Sequence, residues 1–136
     1  SLQAEILNIR LKKLKKVILK RNKNIKIYKR LISSNNVKII EPRKNYTDAQ
    51  VMFITLSSER NELQNFLAKK NIQSLIYYKT PLHLHKATKF LGYKKGDFPK
   101  AEKIASSVIS FPHHQYLKKK EIEYVANKIN DFYKNK

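Results

Sequence analysis

The chain has 136 residues, no cysteine and a formal net charge of +20. That length is one domain's worth, enough to bury roughly 70% of the unfolded surface. The missing cysteine excludes disulfides, thiolate metal sites and cysteine nucleophiles, and fits a reducing compartment. No run of about 18 apolar residues is present to form a membrane-spanning helix, and no charged region followed by an apolar block marks a secretory signal.

Of the 30 basic residues, 25 are lysine and five arginine. Nucleic-acid readers favour arginine, whose planar fork pairs bidentately and stacks. The lysine excess therefore reads first as solvated surface and second as a polyanion-binding module, in which nucleic acid would be held only non-specifically.

Leu2 to about Ile32 is predicted as one helix of roughly 45 Å, at about 1.5 Å per residue. Leu7, Leu11, Leu14, Ile18, Ile25, Tyr28 and Ile32 follow a 4-3-4 spacing interrupted at Arg21, with lysines on the other faces. So long a stripe exceeds what a small domain covers, and part of it is expected to stay exposed and to drive self-association. Ser33–Asn36 makes a turn. Val37–Ile40 is a short strand stopped by Pro42, and Arg43–Asp48 is a polar loop. Gln50–Leu56 alternates as a strand, with Met52, Ile54 and Leu56 facing one way and Val51, Phe53 and Thr55 the other. Ser58 is placed to cap the next helix, whose apolar face is Leu63, Phe66 and Leu67 and whose end is Asn71.

Ser74–Tyr78 reads as a further strand, followed by a turn at Pro81 and a short helix from about His83 to Leu91 that Gly92 stops. Asp97 is placed to cap the next helix, with Pro99 in its first turn. Val108–Pro112 is a buried strand closed by proline. Ile122, Val125, Ala126, Ile129 and Tyr133 mark a last amphipathic helix from about Lys118. Helices and strands alternate irregularly, so the predicted class is α+β: a long N-terminal helix, then three or four mostly antiparallel strands with helices on one face.

No Ser-His-Asp set, paired carboxylates or glycine-rich phosphate loop is readable, since the only glycines are Gly92 and Gly96. His83 and His85 are two apart and lack a nearby carboxylate in sequence, so a metal pair is disfavoured: His83 reads as structural and His85 as exposed. His113 and His114 follow a strand end and read as surface.

Three segments nonetheless carry a specific pattern: Tyr78-Lys79-Thr80-Pro81-Leu82-His83, Gly92-Tyr93-Lys94-Lys95-Gly96-Asp97-Phe98-Pro99-Lys100-Ala101-Glu102, and Ser110-Phe111-Pro112. With Leu2-Gln3-Ala4 at the start of the long helix and the Arg21, Ile25, Tyr28 spacing within it, they resemble the C-terminal part of the DegT/DnrJ/StrS family of nucleotide-sugar aminotransferases, which depend on pyridoxal phosphate. The resemblance implies the small C-terminal domain of a fold-type I aminotransferase. Residues 1–34 would be the connecting helix and 35–136 the small domain, of a parent that passes an amino group from glutamate to a nucleotide-linked keto sugar for amino-sugar or polysaccharide synthesis.

The resemblance also assigns parts. The cofactor lysine of the family lies upstream, so no lysine here is expected to be catalytic, and no pyridoxal phosphate is expected on this fragment alone. Tyr77 and Tyr78 fall where the family commonly has His-Tyr beside the sugar nucleotide, and tyrosine there stacks or donates a hydrogen bond. The plainer reading is a pair of strand aromatics, one in the core and one exposed. Lys79, where the family often has proline, is placed to meet a diphosphate; a solvated lysine is the plainer reading. The implied parent is a cytoplasmic homodimer, without membrane contact, its long helix either at the dimer contact or docked on the missing large domain.

Overall fold

The computed structural model describes residues 1–42, 45–46 and 48–134; of the predicted 43–48 loop, Arg43, Lys44 and Thr47 lie outside the described residues. Helix α1 runs Leu2–Leu31. Ser1 caps it, its Oγ accepting from the Ala4 N–H at 3.4 Å. Glu5 in the first turn and Lys29 and Arg30 in the last suit the helix dipole. Its burial is lopsided. Every residue through Lys16 is exposed, and only Asn24, Ile25, Ile27 and Tyr28 are buried.

Three strands, β1 (Val37–Ile39), β2 (Phe53–Ser57) and β3 (Val108–Phe111), form one antiparallel sheet in the order β1-β2-β3. Val37 opposes Ser57 in the first pair, and Phe53 opposes Phe111 and Thr55 opposes Ile109 in the second. β2 keeps the period of two expected of a half-buried strand: Phe53, Thr55 and Ser57 are buried, Ile54 and Leu56 only partly so. It starts later than predicted because Gln50 takes a positive φ of 49° and its N–H bonds to Asp48 Oδ1, which breaks the extended run.

One face of this sheet carries the core. Tyr28 of α1 stacks on Phe53 with ring centroids 4.8 Å apart, and Phe53 meets Phe111 at 6.1 Å. Helix α2 (Arg60–Ala68) supplies Leu63 and Leu67, and α4 (Lys119–Lys134) supplies Ile122, Val125, Ala126, Ile129 and Phe132. The predicted stripe of α4 holds, except that Phe132 is the buried member at its end. Tyr133 is half-buried, its hydroxyl 2.6 Å from Ser57 Oγ. α2 stops at Ala68, three residues before the predicted end, and Asn71, at φ 58°, closes the turn that follows.

Several local expectations are corrected. Ser74–Tyr78 is not a strand: only Leu75 pairs, exchanging both backbone bonds with Ser110 at 3.0 and 2.8 Å. The Ser74 carbonyl is taken by Gln64 Nε2 at 3.1 Å instead of a ladder partner, and the chain turns at Tyr77. The His83–Leu91 helix is two 3₁₀ turns, Leu82–Leu84 and Lys86–Leu91, separated by an extended His85; Gly92, at φ 76°, ends the second as expected. Neither Ser58 nor Asp97 is a cap. Glu59 precedes α2, its N–H bonding Ser57 Oγ at 3.2 Å, and Phe98 precedes α3 (Pro99–Ser107). Asp97 instead closes the turn before it, accepting from the Lys94 N–H at 2.8 Å.

The Tyr28 hydroxyl donates to the Pro112 carbonyl at 2.9 Å, and burial pushes the phenol well above its ordinary value. Tyr28→Phe leaves that acceptor without its partner and is expected to cost about 1–3 kcal/mol in urea unfolding. The sign for pH follows from linkage. A raised phenol contributes stability that is complete below about pH 10 and is lost as pH rises toward the folded-state value. Wild type should therefore lose stability above about pH 10 more steeply than Tyr28→Phe.

Candidate functional site

β3 is buried along its whole length, because both sheet faces are used there. Ile109 and Phe111 face the core. By strand alternation Val108 points to the other side, where it joins Ala101, Ile104 and Ala105 of α3 in the floor of an open groove of about 660 Å³. Arg60, itself buried, fixes this junction: its Nη1 donates to the Val108 carbonyl at 3.2 Å, where α3 ends, so a cation meets the negative end of the helix.

The segment from Tyr78 to His85 forms the groove's wall. Tyr77 and Tyr78 lie at its start, 37% and 77% exposed, with rings in edge contact at 6.1 Å. Neither is a core residue, which removes half of the plainer reading. Lys79 is exposed.

The wall is braced on both sides. His83 Nε2 lies 3.0 Å from Glu102 Oε1, and its side chain is only 8% exposed. The same carboxylate oxygen accepts the Gly96 N–H at 2.7 Å. That backbone bond first, and His83 with it, holds the Glu102 carboxyl below the usual carboxylate range. The His83 ring also meets Phe98 at 4.8 Å, and Phe98 meets Tyr93 at 5.1 Å. On the outer side His85 Nε2 lies 3.0 Å from the Thr80 carbonyl, and Thr88 Oγ1 donates to the Leu82 carbonyl.

His83 is structural and His85 exposed, as expected. The carboxylate missing near His83 in sequence is Glu102, 19 residues on; only the folded chain brings the two together. Glu102 was the residue not singled out as a site member, and its one sequence signal is its place at the end of the second of the three matched segments. His114 is exposed. His113 is not: it is half-buried beside Phe53, its Nε2 is 3.0 Å from the Gln50 carbonyl, and burial lowers its pKa. Among the described residues no group of three or more His, Cys, Asp or Glu could hold a metal.

The sequence pattern of the DegT/DnrJ/EryC1/StrS aminotransferase family matches residues 1–130. The "Pleiotropic regulatory protein" of Geobacillus stearothermophilus is 33% identical over 137 residues, covering 98% of this chain and 37% of that protein. The dTDP-3-amino-3,6-dideoxy-alpha-D-galactopyranose transaminase of Aneurinibacillus thermoaerophilus is 35% identical over 81 residues, 60% of this chain and 22% of that protein. Among solved structures, S. venezuelae DesV superposes with a TM-score of 0.91 at 24% identity, over 96% of this chain and 35% of that one, a likeness of fold. A DegT DnrJ EryC1 StrS aminotransferase from Brucella abortus superposes at 0.85 with 29% identity, again over 96% of this chain and 35% of that one. The chain thus spans about a third of the length of the relatives it matches over nearly its whole extent. With the pattern running from residue 1 through residue 130, the chain belongs to the DegT/DnrJ/EryC1/StrS aminotransferase family.

Proposed function

We propose that this chain is the C-terminal part of a pyridoxal-phosphate-dependent aminotransferase that moves an amino group from glutamate to a nucleotide-linked keto sugar, and that Tyr77 and Tyr78 border the sugar site. Residues 1–34 would be the connecting helix and 35–136 the small domain of a cytoplasmic homodimer. The observation that carries the reading is the exposed tyrosine pair at the head of a braced, family-matched wall. Aromatic rings held at a groove mouth, with hydroxyls free to bond, suit a sugar. The polyanion-binding alternative has only the net charge behind it and is not favoured beside the family match.

Pyridoxal phosphate, when bound, acts as the electron sink that carries the amino group. The residues present do not fit it. Its holding lysine needs an amine freed of its proton, and its phosphate needs a cradle of backbone N–H groups. The described lysine with a resolved shift, Lys128, is raised by its hydrogen bond to Asp131, the opposite direction. The two glycines end separate turns and form no such cradle. In the proposed parent the cofactor is held by residues upstream, and the parts of this chain bind and orient the sugar.

The test uses the full reading frame that contains this chain. Glutamate-dependent amination of nucleotide-linked keto sugars is expected. Tyr78→Ala should raise KM for the sugar nucleotide about tenfold, equivalent to about 1.4 kcal/mol, with the glutamate half-reaction unchanged. Loss of both halves together, or of neither, would count against the assignment. The 136-residue chain, reduced with borohydride after mixing with pyridoxal phosphate, should show no stoichiometric capture at one lysine.

Glu102→Gln keeps the shape and removes the charge from the brace. Amide exchange at Gly96 is expected to quicken while α4 stays protected. A carboxyl held below its ordinary pKa gives stability that is present above the unfolded value and lost as pH falls through the folded one. Wild type should therefore converge on Glu102→Gln in acid, read as Gly96 exchange from pH 6 to pH 3.

A further inference from the structure

We propose that Glu102, acting through His83, is a positioning residue for the Tyr77–Tyr78 pair: it fixes the downstream end of the short span that carries the two rings. The proposal deepens the reading of these tyrosines as sugar-site residues, and rests on that reading for its effect on the reaction. The placement itself rests on bonds within the chain, which hold whatever covers the groove.

The span is anchored at two points. Upstream, Leu75 exchanges both backbone bonds with Ser110 of β3. Downstream, His83 Nε2 meets Glu102 Oε1 of α3 at 3.0 Å. α3 runs straight into β3, Ser107 being followed by Val108, and the buried Arg60 side chain bonds the Val108 carbonyl at that junction. Both anchors therefore stand on one continuous α3–β3 unit. Leu75 and His83 are eight residues apart, and so are Glu102 and Ser110, so the span runs back along that unit in the opposite direction.

Little slack is left between the anchors. The Thr80 carbonyl lies 3.0 Å from His85 Nε2, the Leu84 N–H donates to the Pro81 carbonyl at 3.0 Å, and Thr88 Oγ1 donates to the Leu82 carbonyl. These bonds tie Thr80 through Thr88 into one piece that is held where His83 is held. What remains is Ile76, Tyr77, Tyr78 and Lys79. Among the described residues none of these four hydrogen-bonds outside its own turn, and the two rings touch each other at 6.1 Å. Their place is inherited from the two ends.

The downstream anchor has the chemistry to hold. Glu102 Oε1 also accepts the Gly96 N–H at 2.7 Å. An ionised carboxylate only accepts, so His83 donates, and Nε2 is the nitrogen that carries its proton. Bonds to an ionised acceptor are the strong kind, and with the two side chains 8% and 17% exposed, water competes poorly for them. Phe98 packs on the His83 ring at 4.8 Å and supplies bulk, while the bond to Glu102 supplies direction. Rings already in place cost a ligand little ordering, so loss of the anchor should weaken sugar binding and leave the chemistry of the amino donor alone.

The experiment uses the full reading frame that contains this chain. A fluorotyrosine at position 78 reports the ring's placement by fluorine NMR, with no substrate present. Wild type is expected to give one narrow line. Glu102→Ala should shift or broaden it, and so should His83→Leu, which keeps bulk against Phe98 and removes the bond. Glu102→Gln retains an acceptor oxygen and should bring the line back toward wild type. Lys100→Ala, at an exposed position of the same helix, should leave it in place. In kinetics, Glu102→Ala should raise KM for the sugar nucleotide about fivefold with the glutamate half-reaction unchanged. Added to a chain already carrying Tyr77→Ala and Tyr78→Ala, it should change KM by less than about twofold, because its effect passes through those rings. Should Glu102→Ala not fold, His83→Leu carries both readings. An unmoved line in either folded variant would overturn the proposal, as would an undiminished cost in the tyrosine-free background. A parallel loss in the glutamate half-reaction would mark a general structural cost and overturn it as well. A line that moves as expected, while the tyrosine variant leaves the sugar KM unchanged, would uphold the positioning and sink the sugar-site reading.

Discussion

The contact on which the rest depends is that of Tyr28 with the sheet. It is the one residue of α1 that combines full burial, an aromatic stack and a hydrogen bond to the strand-ending Pro112. Side-chain-to-backbone bonds reinforce it: Asn24 Nδ2 donates to the His114 carbonyl, and Asn130 Nδ2 of α4 to the Leu31 carbonyl. These bonds lie at the end of β3 and on α4, so the last two turns of α1 are registered against both at once. A helix of 30 residues is thereby fixed by about a quarter of its length. Arg21 Nε adds a bond to Gln115 Oε1 at 3.3 Å, and from Lys16 back to Ser1 the residues are exposed.

β3 then transmits this order to the other side of the sheet. Ile109 and Phe111 are committed to the core that Tyr28 closes, and their alternation leaves Val108 and Ser110 facing away. Ser110 takes Leu75 as its pairing partner, and Val108 becomes groove floor. The Tyr77–Tyr78 turn starts from that single bridge, two residues upstream. Arg60 locks the end of α3 to the start of β3, and Glu102 on α3 locks His83 and Gly96. The wall is thus tied to the core through two side chains on two helices, Arg60 of α2 and Glu102 of α3, and not through a ladder of its own.

How much of this was legible in the sequence depended on whether the signal was local. α1, α2 and α4 were readable because each carries an apolar repeat at helical spacing over two or more turns. Gly92 as a helix stop was readable because only glycine takes φ 76° without strain. The caps were misplaced by one residue: Glu59 and Phe98 precede α2 and α3 without a side-chain cap, while Ser57 and Asp97 accept from the amides of Glu59 and Lys94 in the turns before them. Ser74–Tyr78 looked like a strand because its residues are good strand formers. Whether they pair is decided by Gln64 and Ser110, which are 10 and 36 residues away from Ser74 and Ser74 itself has no local mark of either. The site was legible as a family pattern, whereas its brace was not: a histidine and a glutamate 19 residues apart carry no local sign of contact.

The two exposed apolar regions have different physical characters, and this bears on what each can do. The groove over Val108 is floored by small and branched side chains and walled by a segment whose carbonyls are bonded by His85 and Thr88. Its shape is therefore set before anything enters, and a ligand there would lose little to ordering the protein. The stripe on α1 has no such support. Its shape is fixed only by the helix itself, and isolated helices of 15 residues are marginal in water. Burial of Leu7, Leu11 and Leu14 would stabilise the helix and whatever contact covers them together. Packing against the stripe is thus coupled to helix order, whereas the groove is shaped beforehand, and the tyrosine pair sits where geometry is already fixed.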